Sequence, residues 1–194
     1  MASSPSPGSA SPVTQADTPE LDNELWRFVC SFYAGKGVSP ACLTLQDKLG
    51  VDVDILLFAV FAQATRGILL DRSDLGIVDS LVRDWRSEIV QVLRRVRTRL
   101  KAGPVPAPSS VTEALRNRIK AAELEAEQIE LAVLADWLDR QPPRPTHLAV
   151  DAKTVPLMVA RYFQAQPDDE AFAPEVDEAL RVLSQAIQKM SAKS

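Results

Sequence analysis

The sequence predicts an all-α protein, a compact helical bundle of about five to seven helices with a long antiparallel hairpin. Three observations carry that expectation. Apolar residues recur at i, i+3, i+4 and i+7 along most of the chain after Leu21, the spacing of one helix face. No segment alternates apolar and polar residues as a half-buried strand does. The 14 prolines gather in 1–20, 104–108, 142–145 and 156–174, with Pro40 apart, so they punctuate the apolar segments and do not interrupt them. The length of 194 residues suits one domain of roughly 100–150 residues plus tails.

Residues 1–20 carry no Lys, Arg or apolar run and read as a disordered Pro/Ser-rich leader. The helical domain then covers 21–140, and 141–194 is a Pro-rich linker with a helical extension. In the first helix Leu25, Phe28, Val29 and Phe32 share a face. Ser39 and Pro40 suit the start of the second, which ends at Gly50. Asp52 is the expected N-cap of a third helix that is apolar almost all round, as a central helix must be. Ser73 is expected to cap a helix over about 74–100, with Val78, Leu81, Trp85, Ile89, Val92, Val96 and Leu100 as a seam close to coiled-coil spacing. Such a helix is about 40 Å long.

The linker KAGPVPAPSS stops that helix, and Ser110 with Glu113 forms the expected capping box of the next. Leu115, Ile119, Ala122, Ala126, Ile129, Val133 and Trp137 make its stripe, and two long stripes across a short link imply a hairpin. A shorter apolar segment follows near Val155–Ala165, with Pro156 as an interior kink. The last helix turns Val176, Leu180, Leu183, Ile187 and Met190 inward.

Composition excludes several chemistries. One His and two Cys cannot build a His-rich metal site, a zinc cluster or a disulfide scaffold, and seven Gly leave little for phosphate loops. His147 lacks any Glu-x-x-His partner, and Asp168-Asp169-Glu170 reads as a solvated turn. No metal or cofactor is expected. The longest apolar run, Ile55–Ala62, falls short of the roughly 20 residues a membrane span needs, so a cytoplasmic protein with Cys30 and Cys42 as buried thiols is expected.

The strings Leu25-Trp26-x-Phe28, Tyr33, Gly37-Val38, Ala41-Cys42-Leu43-x-Leu45-Gln46-Asp47, Gly50-x-Asp52-Val53 and Leu56-Leu57-Phe58 resemble the opening of an uncharacterised proteobacterial family, a domain of unknown function. Trp85-Arg86, Arg94-Arg95-x-Arg97-x-x-Leu100-Lys101 and Lys120-x-x-Glu123-Leu124-x-Ala126-Glu127 resemble its second half. The resemblance covers about residues 25–137. It implies a small cytoplasmic helical protein and supplies no activity.

Two constellations are candidate sites. Trp26, Tyr33, Gln46, Asp47, Asp52, Trp85 and Arg86 are polar or aromatic residues set among apolar ones, with Asp52 accounted for by capping and Asp54 by the helix dipole. Asp47 is expected to pair with an Arg such as Arg86 in the core. The second is a basic patch at the hairpin end: Arg94, Arg95, Arg97, Arg99, Lys101, Arg116, Arg118 and Lys120 give 94–120 a net charge of +7, next to −6 over 121–139. The overall charge is only −4.

With no enzyme signature, the leading expectation is a non-enzymatic protein acting through protein–protein contact on the hairpin, a second copy being one candidate partner. The alternatives are a small-molecule or catalytic pocket around Asp47, Gln46 and Tyr33, and RNA or phosphate binding through the basic end. A pI near 5.1 and the lack of aromatic residues in 94–120 disfavour nucleic acid.

Overall fold

A computed structural model describes residues 19–142, 144, 150–164 and 171–191. Among these the chain forms helices and no strand. The elements are α1 (Glu24–Tyr33), α2 (Val38–Leu49), α3 (Val53–Arg66), α4 (Arg72–Trp85), a π-helical turn (Arg86–Val90), α5 (Gln91–Arg99), α6 (Ser110–Asp139), α7 (Thr154–Phe163) and α8 (Pro174–Ser191). Helices α4 and α5 run through the π turn without a break, so the class and the hairpin agree with the sequence expectation.

Every residue from Ile55 to Ala62 is buried, which is why α3 sits at the centre with α1, α6 and α7 packed around it. Asp52 starts it by accepting the N–H groups of Asp54 at 2.8 Å and Ile55 at 3.2 Å. The C-terminal helices join the same core. Val155, Val159 and Ala160 of α7 and Val176, Ala179, Leu180, Leu183 and Ile187 of α8 are buried in it, and α8 lies along α2.

Several local expectations are corrected. Helix α2 opens at Val38 after Gly37, whose φ of 84° suits glycine, and Pro40 falls in its first turn. Asp71, not Ser73, caps α4, in a reciprocal box with Asp74. Ser109, not Ser110, caps α6 with Thr112, while Glu113 instead accepts hydrogen bonds from Arg116. Pro156 stands in the first turn of α7, where a missing N–H breaks no ladder bond, so it is not an interior kink. Cys42 is buried and Cys30 is exposed. Burial, with the nearby Asp54 charge, pushes the Cys42 thiol up to about 12.

The seam of the long helix is also displaced. Val78, Val82 and Val90 are buried, whereas Leu81, Trp85, Ile89, Val92 and Val96 are 37–49% exposed. The π turn is one reason: the Gln91 N–H bonds to the Arg86 carbonyl, five residues back, and this wider turn keeps Val78, Val82, Arg86 and Val90 on one face at a spacing of four. The other reason is that α5 packs chiefly on α6, and two helices alone cannot cover both sides of a seam.

Candidate functional site

The start of α3, the π turn and the middle of α6 meet around a cavity of about 910 Å³. Trp26 and Tyr33 of α1 and Leu43, Gln46 and Asp47 of α2 line one side. Asp52, Asp54, Arg86, Glu127 and Glu130 line the other.

Arg86 links two helices here. Its Nη1 donates to Asp52 Oδ2 at 2.5 Å and its Nη2 to Asp79 Oδ1 at 2.7 Å. Asp79 Oδ2 also accepts from Arg83 at 2.7 Å and from the Tyr162 hydroxyl at 3.1 Å. Burial alone would raise the Asp79 pKa, but the Arg83 and Arg86 hydrogen bonds and the Arg86 charge outweigh it and hold the carboxyl below its ordinary value. Burial likewise opposes the Arg86 charge, and the Asp52 and Asp79 carboxylates overcome it.

Glu130 has the opposite surroundings. It is 1% exposed, and among the described residues no donor reaches either of its carboxyl oxygens. Burial, then the charges of Asp52 and Asp54 and the hydrogen bond that a protonated Glu130 gives Asp52, push its pKa up to about 10 against the pull of Arg86. Burial, then Asp52 and Glu127, raises Asp54 well above an ordinary carboxylate. Burial raises Glu127 as well, although Arg94 reaches it. One oxygen from each of Asp52, Asp54 and Glu130 lies within 4.8 Å of the others.

The cavity therefore gathers Trp26, Tyr33, Gln46, Asp47, Asp52 and Arg86 of the sequence cluster but not Trp85. Trp85 Nε1 donates to the Ala126 carbonyl at 3.0 Å, a hairpin contact. The expected Asp47–Arg86 pair does not form: Arg86 is taken by Asp52 and Asp79, and Asp47 is exposed at the rim. Asp54, set aside in the sequence as a first-turn residue favoured by the helix dipole, lines the cavity too, and Asp79, Glu127, Glu130 and Arg94 were not in that cluster. The signal for Glu130 is on α6, where Glu123, Ala126, Glu130, Leu134 and Leu138 share the buried face, so acids stand at apolar positions.

The basic patch divides. Arg94 donates to Glu123 at 2.9 Å and also to Glu127, Arg97 pairs with Glu123, and Arg116 pairs with Glu113. Burial would raise the Glu123 pKa, yet Arg97 and Arg94 hold it below its ordinary value. Arg95, Arg99, Lys101, Arg118 and Lys120 stay exposed. The +7 and −6 segments thus partly neutralise each other across the hairpin. His147 and Asp168-Asp169-Glu170 lie outside the described residues.

Among the described residues no helix is long and apolar enough to cross a membrane. No curated protein and no solved structure matches the sequence. The helices that build most of the cavity, α1 to α6, nearly coincide with residues 24–134, more than half of the chain, which match the family model described as protein of unknown function (DUF2390), and the chain belongs to that family.

Proposed function

We propose that this protein binds a small molecule in the cavity between α1, α2, α3 and α6. The observation that carries the reading is Glu130, a buried carboxyl that receives no hydrogen bond from the described residues, at the wall of a cavity lined by aromatic, apolar and charged side chains. Leaving such a group bare costs about 1–3 kcal/mol or more, which folding alone gives no reason to accept. An apolar pocket with a few convergent polar groups of shifted pKa is the usual form of a ligand site.

The test is ligand-observed and protein-observed NMR with a panel of neutral and cationic fragments, in EDTA, following the Trp26 indole N–H. Fragments should shift that signal in the wild type and lose binding in Ala34→Trp, which adds bulk at the rim. A panel that leaves Trp26 unmoved overturns the reading.

A second reading, protein–protein contact through the hairpin, is supported by the exposed row Leu81, Trp85, Ile89, Val92 and Val96 beside Arg95 and Arg99. If a second copy is the partner, sedimentation should show concentration-dependent association that Ile89→Glu with Val96→Glu abolishes. A monomer at every concentration removes self-association.

A further inference from the structure

We propose that Asp52, Asp54 and Glu130 form a site for one divalent cation of the hard, oxygen-seeking class, with Ca²⁺ preferred over Mg²⁺. The inference deepens the ligand-binding reading by naming the chemistry that the acidic wall of the cavity takes.

Three independent features point there. The first is geometric: one oxygen from each carboxylate falls within 4.8 Å of the others, from two elements far apart in sequence. Opposite ligands of a cation held at about 2.3–2.6 Å from each oxygen are about 4.6–5.2 Å apart, so three oxygens this close together can share one Ca²⁺-sized ion. Mg²⁺ gives up its waters reluctantly and usually keeps several of them, so a site whose ligands are largely buried carboxyls favours Ca²⁺.

The second is the Glu130 carboxyl, buried and close to Asp52 and Asp54, to which no described residue donates. Asp54 adds a second oxygen ligand on the cavity wall, and none of the described residues donates a hydrogen bond to its side chain. Asp52 is already aimed: two N–H groups of α3 hold Oδ1 and Arg86 holds Oδ2. Carboxylate oxygens have further lone pairs, so this orientation leaves room for a metal bond, and Arg86 acts as a positioning residue.

The third is the charge count. Six carboxylates line the cavity (Asp47, Asp52, Asp54, Asp79, Glu127 and Glu130) against two guanidiniums, Arg86 and Arg94. Like carboxyls packed this closely repel one another when ionised, and a cation held between them offsets that repulsion. The all-oxygen ligand set favours Ca²⁺, Mg²⁺ or Mn²⁺ over zinc or copper.

The experiment uses the full chain stripped with EDTA and dialysed. Calorimetric titration with CaCl₂ and MgCl₂, and Mn²⁺ electron paramagnetic resonance, should show one saturable site with Ca²⁺ at least 10-fold tighter than Mg²⁺. Glu130→Gln keeps the shape and removes the ligand charge, and should weaken Ca²⁺ at least 10-fold. Asp54→Asn, at a less buried position, should do the same and serves if Glu130→Gln fails to fold by circular dichroism. Absence of saturable binding, or equal affinity in the folded variant, overturns the site. Glu130-dependent binding of butylammonium without binding of Ca²⁺ overturns it in favour of an organic cation. Fragment binding in EDTA with no Ca²⁺ binding overturns the cation site while the pocket reading stands; Ca²⁺ binding without fragment binding does the reverse.

Discussion

At the scale of single residues, two aspartates that look alike in sequence have different energetics. Asp79 is buried and accepts from Arg83, Arg86 and Tyr162, while Asp47 is exposed at the cavity rim. Asp79→Asn removes the charge that these donors meet and should cost about 1.5–3 kcal/mol at pH 7. Asp47→Asn should stay within about 0.5 kcal/mol. Because the folded-state pKa of Asp79 is depressed, its contribution is present above the ordinary carboxyl value of 3.8 and is lost as pH falls through the lower folded value. Urea unfolding from pH 7 down to pH 3 should therefore show the gap between wild type and Asp79→Asn closing in the acid range. A gap independent of pH would mean that the pairing of Asp79 with the arginines contributes little.

At the scale of elements, the register of a cap decides which serine matters. Ser109 is extended, accepts the Thr112 N–H at 3.3 Å and donates its own N–H to the Thr112 hydroxyl at 2.8 Å, whereas Ser110 is the first helical residue. Ser109→Ala should lower stability by about 1 kcal/mol and Ser110→Ala by less than about 0.5 kcal/mol. Hydrogen exchange of the first turn of α6 gives the local measure, and equal effects would contradict the cap. The same scale explains the long helix, where α4 already turns Val78 and Val82 inward and a single π turn keeps Arg86 and Val90 on that face, leaving Leu81, Trp85 and Ile89 partly exposed. That turn places Arg86 between Asp52 and Asp79, so an irregularity in the helix ladder builds the cavity wall.

At the scale of the whole molecule, residues outside the family match complete the core. Helices α7 and α8 follow the matched region 24–134, yet Val159, Ala160 and Leu183 are at most 1% exposed and pack with the central helices. Ending the chain after residue 141 would uncover the face of α2 formed by Val38, Cys42 and Leu45, each fully buried. Single large-to-small changes at such positions cost about 2–5 kcal/mol, comparable to the whole stability of a domain when several are combined. A 1–141 chain should lose its cooperative thermal transition by circular dichroism, or aggregate. A sharp transition close to that of the full chain would show that the matched region folds alone.

What the sequence by itself determined is the helical class, the Asp52 cap, the all-round burial of α3, the hairpin and the inward face of α8, because each follows from local periodicity or from a neighbour within one turn. Most of the aromatic and polar cavity rim was legible too, since Trp26, Tyr33, Gln46 and Asp47 are polar or aromatic residues in apolar surroundings. The partner of Arg86 was not legible, because Asp47 and Asp52 are equally plausible from spacing and only the turn between α2 and α3 separates them. Glu130 was not legible either: a glutamate in a charged helix reads as a solvated face until another element covers it. Only the tertiary structure brought it against Asp52 and Asp54, across more than 70 residues of chain. Burial and the meeting of like charges are properties of packed surfaces, and no one-dimensional pattern encodes which surfaces meet.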